Sequence, residues 1–146
     1  MAFGTIGKAL PRIEGEGKVT GQTKYAADLP FEDLLWAKVL RASVPHARIV
    51  KVDTSKAKAL KGVRAVLTGA DVQDIFVGTR VKDQPVLAYD KVRMCGDAGA
   101  AVAPDSEAIA DKAIGLIDVE YEELPYVDDR VEALKPTAPL IHEDRN

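Results

Sequence analysis

The chain has 146 residues, of which 47% are hydrophobic and 29% charged, a composition typical of one globular domain. A net charge of −3 gives no electrostatic reason to bind nucleic acid or an anionic membrane. The single cysteine, Cys95, excludes an intrachain disulfide, and no segment approaches the roughly 20 apolar residues of a membrane-spanning helix. Residues 1–7 also lack the pattern of a signal peptide. These features predict a cytoplasmic protein without nucleic acid or membrane partners.

The two ends of the chain are predicted to differ from its middle. Residues 1–22 contain five glycines and a proline, which predicts an irregular N-terminal arm. The domain proper is expected to span residues 23–135, and two prolines mark residues 136–146 as a C-terminal tail. The first predicted strand, residues 34–42, is apolar on both faces, which favours a strand covered on both sides.

A strand–helix–strand segment is predicted next. Residues 48–52 form a strand, and the polar residues 53–55 are good N-caps for the helix that follows. Gly62 stands where a helix favours a left-handed residue after its last turn. Residues 63–67 form another strand, followed by a short turn or helix at 68–71.

The next stretch has weaker signals. Residues 72–86 show no clear hydrophobic period, which indicates a surface excursion with room for one edge strand. Residues 86–88 and 91–95 are predicted to be short strands. The turn residues 96–99 are then expected to connect Met94 and Cys95 to the small apolar run 100–103 in a hairpin.

The clearest predicted element is a helix that begins at residues 104–106. Ile109 and Ala113 share its apolar face. Residues 117–122 alternate between apolar and acidic side chains, which predicts a half-buried strand, and residues 130–134 form a short helix. The whole pattern predicts an α+β fold in which two or three short helices pack on a sheet.

Two candidate binding features are weak. Residues 15–20, Gly-Glu-Gly-Lys-Val-Thr, resemble a phosphate-binding loop but lack its glycine spacing and its preceding strand. His46 and His142 are the two histidines, and neither has a Cys or His close enough in sequence for a metal site. A hydrogen bond that stabilises a turn is the preferred interpretation of His46.

The candidate catalytic groups are equally weak. Cys95 would need a stabilised thiolate, and although Arg93 is two residues away, a buried structural cysteine is the preferred interpretation. An acidic run could supply paired carboxylates: Glu120, Glu122, Glu123, Asp128 and Asp129. Alternation places Glu120 and Glu122 on the outward face of the predicted strand, so solvation is the preferred interpretation. Acid–base catalysis would require one of them to be desolvated. The sequence therefore predicts no catalytic, cofactor-binding or metal-binding residue in this chain.

Seven phrases, spread over most of the chain, resemble one protein family. They are KVTG (18–21) with YAAD (25–28), LRASVPHARI (40–49), GVRAVLTG (62–69), VRMCGD (92–97), AAVA (100–103), VEYEELP (119–125) and IHED (141–144). In this order they resemble the a/b hammerhead domain that opens the molybdopterin-binding subunit of xanthine dehydrogenase/aldehyde oxidase-type molybdenum hydroxylases. Nicotinate dehydrogenase and hydroxybenzoyl-CoA reductase subunits are similar proteins. One departure is Ala98-Gly99, where the family often has Pro-Val.

The resemblance implies an a/b hammerhead fold with a mixed sheet. It also implies that the parent enzyme hydroxylates N-heterocycles or aldehydes with oxygen derived from water, or in one branch reduces an aromatic thioester. Such enzymes use molybdopterin-bound molybdenum, iron–sulfur clusters and usually FAD. Their cofactor ligands and catalytic glutamate lie in domains that follow the hammerhead, so the resemblance assigns no site residue to this chain.

The expected role is a non-catalytic scaffold that packs between the molybdopterin-binding domains and the iron–sulfur partner, and the fragment alone is expected to be inactive. The alternative is an independent module, encoded as a separate subunit, that binds a small ligand or a protein. A small standalone enzyme that uses Cys95 or His46 is a third interpretation.

Overall fold

The computed structural model describes residues 4–142 and divides between Leu34 and Leu35 into two compact units. In the first unit, a five-residue helix, α1 (Gly15–Val19), precedes a 3₁₀ turn at Ala26–Asp28. No residue from 4 to 34 is buried. The expected irregular arm, residues 1–22, thus contains one short helix, and the boundary between the two units lies beyond its predicted end.

The second unit contains most of the regular structure. Within the described residues its elements are β1 (Lys38–Arg41), β2 (Ala47–Asp53), α2 (Ser55–Ala59), β3 (Val63–Thr68), β4 (Phe76–Val77), β5 (Gln84–Pro85), β6 (Lys91–Val92), β7 (Ala98–Pro104), α3 (Glu107–Ile114) and β8 (Asp118–Glu123). Further 3₁₀ turns lie at Gly69–Asp71 and Glu132–Leu134.

The strands form three small sheets, with the orders β1-β7-β3, β6-β2-β8 and β4-β5. The predicted α+β class is confirmed, but every ladder in the described part of the chain is antiparallel, where a mixed sheet was expected. The reason is the connectivity. Since α2 joins β2 to β3 and α3 joins β7 to β8, each helix connects strands of different sheets, and neither connection makes two parallel neighbours.

The larger core lies between α2, α3 and the sheet that has β7 at its centre. Its buried members are mostly small: Ala57, Val66, Ala100, Val102, Ala110, Ala113 and Ile117. The small side chains of β7 and α3 let the helix lie close to the strand. The start of α3 follows the sequence prediction, since Ser106 Oγ accepts a hydrogen bond from the Ile109 N–H at 3.4 Å.

Several local predictions are confirmed. The strands expected at 48–52, 63–67 and 117–122 correspond to β2, β3 and β8 within one or two residues at each end. Gly62 has the expected positive φ of 93°, but α2 already ends at Ala59 with Leu60 as its extended C-cap, so Gly62 belongs to the turn before β3 and does not cap the helix. Hydrophobic alternation and turn residues were therefore sufficient signals for these strands.

The strand predicted at residues 34–42 is wrong in length and in burial. The β1 ladder begins only at Lys38, and Trp36 is 51% exposed. The Trp36 N–H donates to the carbonyl oxygen of Pro104 at 2.9 Å, but proline has no N–H with which to return the bond. The ladder therefore does not extend to Trp36, and the apolar residues before β1 are left uncovered.

The hairpin predicted between Cys95 and residues 100–103 is also wrong. Asp97 Oδ2 instead accepts the N–H groups of Arg93 and Met94, at 2.7 and 3.3 Å, and closes residues 93–97 into a tight turn. The strand β7 pairs with β1 and β3. The short strand expected at 86–88 does not form. The one expected at 91–95 is reduced to β6, because the turn at residues 93–97 ends it early.

Candidate functional site

The second unit contains a groove of about 630 Å³. Its walls come from β1, β3 and the turn at residues 93–97, together with the segment that carries β4 and β5. Its apolar lining includes Val39, Leu67, Val86, Leu87 and Met94. A mostly apolar groove with a few polar groups is the usual form of a binding surface for a ligand or a chain segment.

Basic side chains reach the groove from two elements. Arg41 extends from the end of β1, and its Nη1 donates to the carbonyl oxygen of Gly96 at 3.0 Å. Arg93 follows β6, and its Nη1 lies 3.9 Å from Asp90 Oδ1. The Nε of Arg93 is buried without a hydrogen-bond partner. These arginines give the groove a place where an acceptor such as a carboxylate could bind. Among the described residues that line the groove, no nucleophile is paired with a base.

His46 has a structural position. It is 3% exposed, and its Nδ1 lies 2.7 Å from the carbonyl oxygen of Pro125. Since a carbonyl can only accept, Nδ1 carries the proton. The preferred interpretation was a bond that stabilises the local turn. The bond instead spans 79 residues and connects the chain before β2 to the chain after β8.

Cys95 is exposed, so its interpretation as a buried structural cysteine is wrong. It lies on the turn at residues 93–97, beside Gly96, which has a positive φ of 93°. Its Sγ is 3.8 Å from the carbonyl oxygen of Ser43. A residue at the outer end of a tight turn projects toward solvent. The sequence predicted a strand at 91–95 instead of this turn, so the exposure of Cys95 was not expected.

The carboxylates of the acidic run face solvent, as predicted for the strand residues. Glu122 Oε2 accepts from Arg48 Nε at 3.1 Å on the neighbouring strand. Asp129 Oδ1 accepts the N–H groups of Val131 and Glu132, which start the last 3₁₀ turn. The run therefore pairs across strands and caps a turn. The Gly-Glu-Gly-Lys-Val-Thr phrase lies in α1 and the residue after it, and not in a phosphate-binding loop.

The structure does not bring the remaining candidates together. His142 is half-buried at the edge of the groove, and the acidic phrase that follows it lies outside the described residues. Sequence analysis missed the groove, because its walls are contributed by positions far apart in the chain. The apolar residues at 72–86 were the feature of the sequence that could have indicated the groove, because several of them line it.

Two aspartates have lowered pKa values because they cap local turns. The backbone N–H of Thr68, and then its hydroxyl, donate to Asp71 Oδ2 at 2.7 and 2.8 Å and lower the pKa of Asp71. The Ser55 hydroxyl, followed by its N–H, lowers the pKa of Asp53 in the same way at the start of α2. Burial raises the pKa of Tyr121.

The Asp71 cap predicts an acid-dependent loss of stability. Because folding lowers the pKa of Asp71, its contribution is complete above the pKa of the unfolded chain and is lost as the pH falls through the folded pKa. Asp71→Asn should therefore lower the urea midpoint at neutral pH and have little effect in strong acid. Asp74→Asn, an exposed aspartate in the same region, is the control. An Asp71→Asn effect that does not change with pH would contradict this account.

The donor groups of the described residues do not form a metal site. Between residues 4 and 142, no group of three or more His, Cys, Asp and Glu side chains is arranged to hold a metal ion. An iron–sulfur cluster is held by four cysteine thiolates or by two with two histidines, and this sequence has one cysteine. In the same residues, no helix is both long and apolar enough to cross a membrane.

Comparison with known proteins identifies the fold. The family model of the aldehyde oxidase and xanthine dehydrogenase a/b hammerhead domain matches residues 20–125. A probable xanthine dehydrogenase component of Bacillus subtilis is 51% identical over 92% of this chain and 18% of its own length. The nicotinate dehydrogenase large molybdopterin subunit of Eubacterium barkeri is 42% identical over 99% of this chain and 34% of its own.

Solved structures agree with these relatives. A crystal structure of Cu,Mo-CO dehydrogenase superposes on 96% of this chain with a TM-score of 0.86 and 39% identity. The matched region makes up 18% of the CO dehydrogenase chain. The aldehyde oxidoreductase of Desulfovibrio gigas superposes on 91% of this chain with a TM-score of 0.77 and 35% identity, and the matched region makes up 16% of the oxidoreductase chain. The chain thus spans 16–34% of the length of these four proteins.

The fold and the comparisons define a class: a hammerhead domain of the molybdenum hydroxylase large-subunit family, to which xanthine dehydrogenases, CO dehydrogenases and aldehyde oxidoreductases belong. More particularly, the chain belongs to the aldehyde oxidase and xanthine dehydrogenase a/b hammerhead family.

Proposed function

We propose that this chain is a non-catalytic structural domain of a molybdenum-dependent oxidoreductase, packing between the molybdopterin-binding domains and the iron–sulfur partner. The observation that carries the proposal is the superposition on Cu,Mo-CO dehydrogenase, which covers 96% of this chain but 18% of the larger one. The parent enzyme would use molybdopterin-bound molybdenum, iron–sulfur clusters and FAD, all held outside this chain. Its compartment would be the cytoplasm, and the hammerhead domain would correspond to residues 23–135.

Exposed apolar side chains in the second unit support a packing role. Leu35, Trp36, Val50 and Met94 are each between 46% and 55% exposed, and Leu67 is 47% exposed on the wall of the groove. Scattered exposed apolar residues are ordinary, but a set that includes a tryptophan and the lining of an apolar groove is typical of a surface that contacts other domains. Covering these side chains would remove apolar area from water and stabilise the assembly.

The purified 146-residue chain tests the proposal directly. It should hold no stoichiometric molybdenum and should not reduce a dye in the presence of N-heterocycles or aldehydes. The gene beyond codon 146 should continue in an open reading frame. In the full-length subunit, Val50→Asp should reduce co-purification of the iron–sulfur partner or retention of molybdenum, whereas Lys51→Asp, its exposed neighbour, should have less effect. Molybdenum or dye reduction in the chain alone would refute the proposal.

The groove is the observation that favours the alternative, an independent binding module. A stop codon directly after codon 146, together with saturable binding of a carboxylate-bearing ligand that Arg41→Gln weakens, would support this alternative and would contradict the scaffold.

A further inference from the structure

We infer that the N-terminal segment, residues 4–34, is a docking arm that becomes ordered against the rest of the parent large subunit. The inference rests on the proposed function and adds to it the segment that makes the contact and the partner that it contacts. From here on, the arm means residues 4–34, which extend beyond the irregular segment expected at residues 1–22.

Apolar exposure is the first observation. In the arm, eight large apolar side chains are at least half exposed: Ile6, Leu10, Ile13, Val19, Tyr25, Leu29, Phe31 and Leu34. Ile13 is 100% exposed and Val19 is 86% exposed. Single exposed apolar residues need no explanation, but a continuous segment of this kind indicates a surface that another protein region covers.

The second observation is the lack of a buried core. The arm has no buried residue, and its regular structure is one five-residue helix and one 3₁₀ turn. Helices this short are unstable by themselves, because too few hydrogen bonds form to offset the cost of nucleation. Ordering some thirty residues without burying apolar surface is unfavourable, so the stabilising contacts must come from elsewhere.

Sequence coverage indicates the partner. The domain model begins at residue 20, whereas the Eubacterium barkeri relative matches 99% of this chain and the Cu,Mo-CO dehydrogenase structure superposes on 96% of it. Counterparts of the arm are therefore present in proteins of which this chain makes up about a third or less. The arm has four basic and five acidic residues, a near-neutral balance that suits an apolar protein surface better than a strongly charged one.

The basic residues of the arm provide the measurement. Trypsin cleaves after Lys8, Arg12, Lys18 and Lys24, and cleavage requires an accessible, locally unfolded chain. In the assembled full-length enzyme, the arm should resist trypsin. Ile13→Asp should restore cleavage at these four sites and lower the Tm of the full-length enzyme by several degrees. The control is Gln22→Asp, which adds the same charge at an exposed polar position of the arm and should leave both readouts close to wild type.

The same variants in the 146-residue chain separate the possible partners. Because Ile13 is fully exposed there, Ile13→Asp should leave the Tm of this chain unchanged. A lowered Tm would mean that the arm belongs to the domain's own fold. Protection from trypsin that increases with chain concentration would mean that a second copy covers the arm. Either result would overturn the inference, as would an arm that is cleaved equally fast in the assembled enzyme and in the chain. The scaffold proposal fails by a different result, molybdenum or dye reduction in the chain alone.

Discussion

Ala113→Asp is expected to lower the free energy of unfolding of the hammerhead domain by about 4 kcal/mol or more. Ala113 is 0% exposed in α3 and belongs to the core that includes Val102 of β7. A carboxylate there would be buried among apolar side chains without an ion pair, a change that costs about 4 kcal/mol or more. Domains of this size have a free energy of unfolding of about 5–15 kcal/mol, so the substitution would remove a large share of the stability.

The same substitution at an exposed position of α3 is the control. Ala108 is exposed and lies in the first turn of the helix, where a negative charge is favourable. Ala108→Asp should change the free energy of unfolding by less than about 0.5 kcal/mol. Urea unfolding followed by circular dichroism gives both values. Equal effects of the two substitutions would show that α3 does not pack on β7 through Ala113.

Gly69→Ala is expected to destabilise the domain by about 3 kcal/mol or more. A β-carbon added to Gly69 would overlap the carbonyl group of Ala88 and lie 2.7 Å from the Cα of Tyr89. These are backbone atoms that cannot rotate away, so the segment carrying Ala88 would have to shift, with strain at the high end of the range for overpacking. Ala88 is itself buried against Ala42, Ala47 and Val92, and the shift would disturb that cluster.

Gly99→Ala is the matched control, because Gly99 is also buried. An added β-carbon there would lie 3.9 Å from the Leu40 carbonyl oxygen and 4.0 Å from the Tyr121 hydroxyl, which are ordinary contact distances. The substitution should be neutral, or stabilising by about 0.4–1 kcal/mol through the lower entropy of the unfolded chain. If Gly99→Ala proved as harmful as Gly69→Ala, the close approach of Gly69 to Ala88 would not explain the loss.

Local chemistry made part of the fold predictable. The polar residues before α2, the Ser106 cap of α3 and the alternation of β8 are signals within a few residues, and all three elements are present. The errors fall where a distant residue decides the outcome. Pro104 ends the ladder of a strand more than sixty residues earlier, and the Asp97 side chain closes a turn where a hairpin was expected.

The groove could not be predicted for the same reason. Arg41, Leu67, Met94 and Val86 meet there from four separate segments, and no spacing in the sequence relates them. The exposed position of Cys95 depends on the turn at 93–97, which in turn depends on the Asp97 side chain. The expected absence of catalytic residues from this chain stays a prediction.

The pairing of β7 has a consequence for biosynthesis. The strands β1 and β3 pair with β7, and β2 has only a two-residue ladder with β6 until β8 becomes available. On the ribosome the first strands therefore emerge long before their partners, and long-range pairing of this kind is slow. A nascent chain would keep unpaired strand edges and apolar strand faces open until residues near 123 have left the exit tunnel. During that interval a chaperone would have its main opportunity to bind.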